Sequence, residues 1–126
     1  MNKKKTPELS RKDVKIVGIF SDLGMPKNLA KTLMYISQCQ ECRSADIEYG
    51  TRLRQPEVSV AMHHLEEKGW ITKRDQKKEG KGRPIYIYKL TSPIDNIIET
   101  FEKEKLQEIE SVKKDIKELK SLINDR

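Results

Sequence analysis

Two cysteines, one tryptophan and two phenylalanines in 126 residues rule out several architectures at the start. A pair of thiols cannot staple a small secreted fold, which draws its stability from several disulfides. Apolar residues make up only 35% of the chain, and no run approaches the roughly 20 consecutive apolar residues that cross a bilayer. Met1, Asn2 and three lysines open the chain without an apolar signal core behind them, so a cytoplasmic protein that does not enter membranes is expected. Internal repeats and low-complexity tracts are absent. So are a phosphate-binding glycine loop, a nucleophile elbow and any carboxylate cluster, and the two histidines are neighbours, His63 and His64. Nothing here assembles a catalytic centre, and neither an enzyme nor a cofactor is expected.

What the chain does have is charge. Charged residues account for 37% of it, the formal net charge is +6 and the isoelectric point is about 9.3. The charge is uneven: 19 Lys and Arg face 11 Asp and Glu through residue 92, and 7 face 9 beyond it. The first part therefore suits a polyanion, although charge of this size also serves solubility alone. The length allows one small domain and an appended helix but not two full cores.

Ser10 and Asp13 have the spacing of a helix-capping pair, followed by Ile16, Ile19, Phe20 and Leu23 at helical period up to Gly24. Pro26 opens a second helix with a broad stripe of Leu29, Ala30, Leu33, Met34 and Ile36 ending near Gln38. Ser44 can cap a short helix carrying Ala45, Ile47 and Glu48, with a turn from Gly50 to Arg54. A fourth helix starts at Pro56 with Val58, Ala61, Met62 and Leu65 on one face, and stops at Lys68 and Gly69. The period then becomes extended: Trp70 to Arg74, a polar loop over 75–84, and Ile85 to Thr91 make a hairpin with a long basic tip. From Pro93 onward there is no glycine and no further proline, which predicts one helix of about 30 residues. Its seam of Ile98, Phe101, Ile109, Val112, Ile116, Leu119 and Ile123 steps by threes and fours, apart from a stutter near Lys105, as a coiled coil does.

The expected fold is thus mainly α with a small β-hairpin wing: a winged helix-turn-helix domain over residues 1–92 and a long C-terminal coiled-coil helix over 93–126. The fourth helix is the recognition element, since its core face leaves Gln55, Glu57, Ser59, Val60 and His63 pointing outward. Gln55 can pair with adenine, Glu57 can accept from cytosine and Val60 can touch a thymine methyl; the same pattern would also serve an ordinary solvated helix face. Arg52 and Arg54, at the turn before that helix, suit phosphate contacts. The wing offers Lys73, Arg74, Lys77, Lys78, Lys81 and Arg83 to the backbone or a minor groove.

Residues 53–71 (LRQPEVSVAMHHLEEKGWI) and 82–91 (GRPIYIYKLT) resemble the helix-turn-helix and wing of archaeal winged-helix transcriptional regulators in the broad MarR, ArsR and TrmB-like grouping. Residues 23–31 (LGMPKNLAK) are similar to the start of the second helix in TrmB-like domains, and the resemblance covers about residues 20–92. It implies a DNA-binding fold and a dimer. One departure stands out: such families often place glycine directly before the residue matching Leu53, where this chain has Arg52, its nearest glycine being Gly50.

The expected function is a sequence-specific transcriptional regulator binding double-stranded DNA as a homodimer through the C-terminal seam. A nonspecific architectural DNA-binding protein and a winged-helix adaptor of the transcription machinery are the alternatives. No small-molecule ligand has an obvious home in a chain that ends after one helix. Cys39 and Cys42 have metal or redox spacing, but His63 and His64 point about 100° apart on a helix and do not complete a tetrahedral zinc site. No metal is expected, and the pair is left between ordinary thiols and a thiol switch.

Overall fold

The computed structural model describes residues 9–76 and 85–125. The chain divides into two compact units, one ending at Pro93 and the other starting at Ile94.

Helix α1 (Arg11–Asp22) begins where the capping pair requires. The Ser10 hydroxyl accepts from the Asp13 N–H at 3.1 Å, and the Asp13 carboxylate accepts from the Ser10 N–H at 2.9 Å. Burial by itself would raise the Asp13 pKa, but hydrogen bonds from Ser10 and the Gln38 side chain outweigh it and hold the carboxyl below its ordinary value. The expected stripe is only partly right. Asp13, Val17 and Phe20 face inward, whereas Ile19 and Leu23 stay 52% and 47% exposed. A capped and hydrogen-bonded Asp13 can occupy the inner face, and that rotates Ile19 and Leu23 away from it.

Helix α2 (Lys27–Gln38) is the centre of the first unit, packing against α1, two further helices and the hairpin. Leu29, Ala30, Leu33, Met34, Tyr35 and Ile36 are all buried, and each large side chain among them contributes about 1.5–3 kcal/mol. Thr32 is also buried, its hydroxyl donating to the Asn28 carbonyl at 2.9 Å.

Helix α3 (Ser44–Thr51) runs further than expected, taking in Gly50 and Thr51. Its N-cap is Arg43 and not Ser44, because the Asp46 carboxylate accepts from the Arg43 N–H at 3.0 Å. A Cβ on Gly50 would run into the Tyr35 ring, so this glycine provides clearance between α3 and α2. The left-handed turn falls to Arg52 itself, with φ of 63°, which accounts for the displaced glycine. Thr51 builds the turn from its side chain: the hydroxyl donates to the Ile47 carbonyl at 2.6 Å and accepts from the Leu53 N–H at 3.2 Å.

Helix α4 (Gln55–Glu67) starts one residue earlier than expected and buries Val58, Ala61, Met62 and Leu65, the four positions its period selects. Gly69, with φ of 77°, ends the run. Strands β1 (Ile71–Gln76) and β2 (Ile85–Leu90) pair antiparallel from Ile71↔Leu90 to Gln76↔Ile85, so Asp75 and Gln76 belong to a strand and not to the loop. Cys42 pairs with β2 through an isolated bridge to Tyr88: its N–H donates to the Tyr88 carbonyl at 3.0 Å and its carbonyl accepts from the Tyr88 N–H at 2.8 Å.

The second unit is helix α5 (Ile94–Asn124), 31 residues long and so about 46 Å in length. Ile97 and Phe101 are buried, while Leu106, Ile109, Val112, Ile116, Leu119, Leu122 and Ile123 are exposed. Phe101, expected in the intermolecular seam, is one of the two buried residues of α5. Ile98 remains accessible, at 42% exposure.

Candidate nucleic-acid interface

Helices α3 and α4, with the turn at residues 52–54, form a helix-turn-helix, and the hairpin stands beside α4. The inward face of α4 is fixed by its four apolar residues, which leaves Gln55, Ser59, Val60 and His63 exposed. Gln55, Ser59 and His63 follow one another at a spacing of four and form a line along the helix. All three open into a groove of about 480 Å³ whose other wall is Lys73, Tyr86 and Tyr88 of the hairpin. The expected recognition face and the base of the wing thus share one concavity.

The remaining outward candidates part from that line. Val60 turns to the opposite flank, lining an apolar hollow of about 390 Å³ with Pro26, Leu29, Pro56 and Ala61. Glu57 is half-buried and its Oε1 accepts from the Arg54 N–H at 2.9 Å. That carboxylate oxygen stabilises the start of α4 by about 0.5–2 kcal/mol, in the manner of a cap.

The same bond alters the expected phosphate clamp. With the Arg54 N–H taken and Pro56 lacking one, the first turn of α4 offers few backbone donors. The positive charge there resides in the exposed side chains of Arg52 and Arg54.

Among the wing cations, Lys73 lies 3.9 Å from Glu66 and 4.5 Å above the Tyr86 ring, which holds it at the groove wall. Arg74 is drawn away: its Nη2 donates to both carboxylate oxygens of Glu41 at 3.0 Å, so it braces the wing and is not a loose wing cation. Lys77, Lys78, Lys81 and Arg83 lie outside the described residues.

Residue-by-residue reading of the sequence passed over Tyr86 and Glu48. Both line the groove; Tyr86 is 36% exposed. The signal for Tyr86 was present in the alternation of residues 85–88, which turns neighbouring side chains to opposite faces of a strand. Glu48 gave none, since its place depends on how α3 crosses α4. With Glu66 it puts two carboxylates in the groove beside one lysine. His63 Nε2 lies 3.2 Å from Glu67. Among the described residues no group of three His, Cys, Asp or Glu gathers in a way that could hold a metal ion, and no helix is long and apolar enough to cross a membrane.

No protein-family model matches the chain, and no curated protein does. Solved structures do. A possible transcriptional regulator from Methanosarcina mazei Go1 superposes with a TM-score of 0.63 at 21% identity, covering 83% of this chain and 87% of the other. NadR, in its complex with 4-hydroxyphenylacetate, superposes with a TM-score of 0.52 at 12% identity, over 98% and 94% of the two chains. At such identities the likeness establishes the fold, a winged helix with a long C-terminal helix, and leaves the function to the chain's own residues.

Proposed function

We propose that this protein is a transcriptional regulator, not an enzyme, that binds double-stranded DNA sequence-specifically as a homodimer and belongs with the archaeal MarR, ArsR and TrmB-like regulators that its sequence resembles. The observation that carries this reading is the line of Gln55, Ser59 and His63 opening beside Lys73 and Tyr86. An α-helix fills a major groove, and amide, hydroxyl and imidazole groups are the side chains that read base edges there. The other winged-helix regulators in the same structural class favour this use of the fold.

The carboxylates favour specific over architectural binding. A groove that carries Glu48 and Glu66 against Lys73 repels a phosphate backbone, whereas a carboxylate can accept from a cytosine amino group. The backbone contacts then fall to Arg52, Arg54 and the wing lysines.

Residues 1–92 serve as the DNA-binding domain and 93–126 as the dimerisation helix. Ile109, Val112, Ile116, Leu119 and Ile123 are each 48–56% exposed in the single chain, and their three-and-four spacing makes a stripe that a second copy of α5 would cover. Two recognition helices so joined would reach major grooves about 34–36 Å apart. Selection of bound duplexes from a random pool tests the reading: a consensus of two inverted half-sites about one helical turn apart is expected. Recovery of unenriched sequence would reject specificity.

A further inference from the structure

The Cys39 and Cys42 pair, which DNA binding leaves unused, sits at a mechanical junction. Cys39 closes α2, its N–H donating to the Ile36 carbonyl at 3.1 Å. Three residues on, Cys42 pairs with Tyr88 of β2 through two backbone hydrogen bonds. Between them Glu41 takes both contacts from Arg74 of β1. One short segment therefore grips both strands of the wing, β2 by its backbone and β1 by an ion pair. Neither cysteine is in a disulfide. Cys42 is 2% exposed with its Sγ 3.9 Å from the Tyr88 carbonyl, whereas Cys39 is half-buried. A hydrogen bond with Cys39, reinforced by burial, pushes the Cys42 thiol well above its ordinary pKa. The two sulfurs are thus adjacent, and Cys39 is the one that meets solvent.

We propose that Cys39 and Cys42 form a redox-responsive clasp, which a two-electron oxidant of the peroxide class joins in an intrachain disulfide, loosening the wing. The Cys39 sulfur attacks a peroxide oxygen; the O–O bond breaks, water leaves and Cys39 becomes a sulfenic acid. The Cys42 thiol then gives up its proton and attacks the Cys39 sulfur, the S–O bond breaks, and a second water carries the proton away. Two thiols and one hydrogen peroxide give one disulfide and two waters, with two electrons passing from sulfur to peroxide. A disulfide needs its sulfurs about 2.05 Å apart and a dihedral near 90°. To meet that, the Cys42 sulfur leaves the Tyr88 carbonyl and turns toward the end of α2. The tight ring over residues 39–42 then pulls the backbone away from its pairing with Tyr88, and Glu41 moves with it.

Only the consequence for DNA rests on the function proposed above; the disulfide and the loosening of the wing do not. The full chain is treated with hydrogen peroxide, then followed by thiol titration, peptide mass and amide hydrogen exchange. Expected are the loss of both titratable thiols, a peptide spanning 39–42 that is lighter by two hydrogens and is restored by dithiothreitol, and exchange at Tyr88 and Cys42 faster by about tenfold or more. Cys39→Ser, at a half-buried position, should form no disulfide and keep slow Tyr88 exchange under peroxide. Affinity for a selected duplex should fall about tenfold on oxidation of the native chain and hold in Cys39→Ser. Thiols that stay titratable, oxidation to sulfinic acid without a disulfide, or a disulfide that leaves exchange unchanged would each overturn the clasp. Unchanged duplex affinity in an oxidised chain with a loosened wing would overturn its regulatory role. A reduced chain that binds no duplex would instead count against the DNA reading.

Discussion

Gly50 and Arg52 exchange the tasks that their residue types suggest. Gly50 has an ordinary helical backbone and is needed for space, because a Cβ there meets the Tyr35 ring; Arg52 takes the left-handed turn, which costs an L-residue about 1–2 kcal/mol. Gly50→Ala should therefore destabilise the fold by about 1–3 kcal/mol, as overpacking does, and urea unfolding would show a lower midpoint at unchanged slope. Arg52→Gly relieves the turn and should leave stability equal or raised, even as it removes a cation from the turn before α4. A stability loss in Arg52→Gly and none in Gly50→Ala would reverse this assignment. The sequence alone pointed to an anomaly at this turn, but its cause is a contact between α2 and α3 that no local pattern encodes.

The elements were the most legible part of the chain. The α2 stripe and the four inward residues of α4 follow from helical period, since burial of one face is what that period records. Ile19 and Leu23 misled because apolar spacing cannot tell an inward face from one left for another surface, and the turn of α1 is set by Asp13, a polar residue. In the site, the outward set on α4 was readable, but its division was not: Val60 sits on another flank, and Glu57 is held by Arg54. That division sharpens a mutational contrast. Gln55→Ala or Ser59→Ala should reduce discrimination between selected and scrambled duplexes by about 1–3 kcal/mol while sparing scrambled affinity. The double change Lys77→Ala and Lys81→Ala, which removes two charges from the segment between β1 and β2, should weaken both duplexes alike and flatten the salt dependence. Equal losses on both duplexes for Gln55→Ala and Ser59→Ala, measured by competition titration, would remove α4 from base recognition.

For the molecule as a whole, the proposed assembly and the proposed DNA binding are assigned to different units. Because Phe101 is buried in the single chain, the seam is best probed further along α5. Val112→Lys with Ile116→Lys puts charges on the exposed stripe without disturbing Ile97 or Phe101, and sedimentation at micromolar concentration should show a monomer where the native chain is a dimer. A native monomer, or a dimeric variant, would dismiss the α5 seam. The central claim, specific binding of duplex DNA by a basic dimer, is tested most directly by titrating the native protein with a selected and a scrambled duplex over a series of salt concentrations. With about five phosphate contacts per subunit, a log–log slope on the order of −9 is predicted for the selected duplex, with an advantage over the scrambled one of about a thousandfold. A slope near zero, or equal affinity for the two duplexes, would contradict the account.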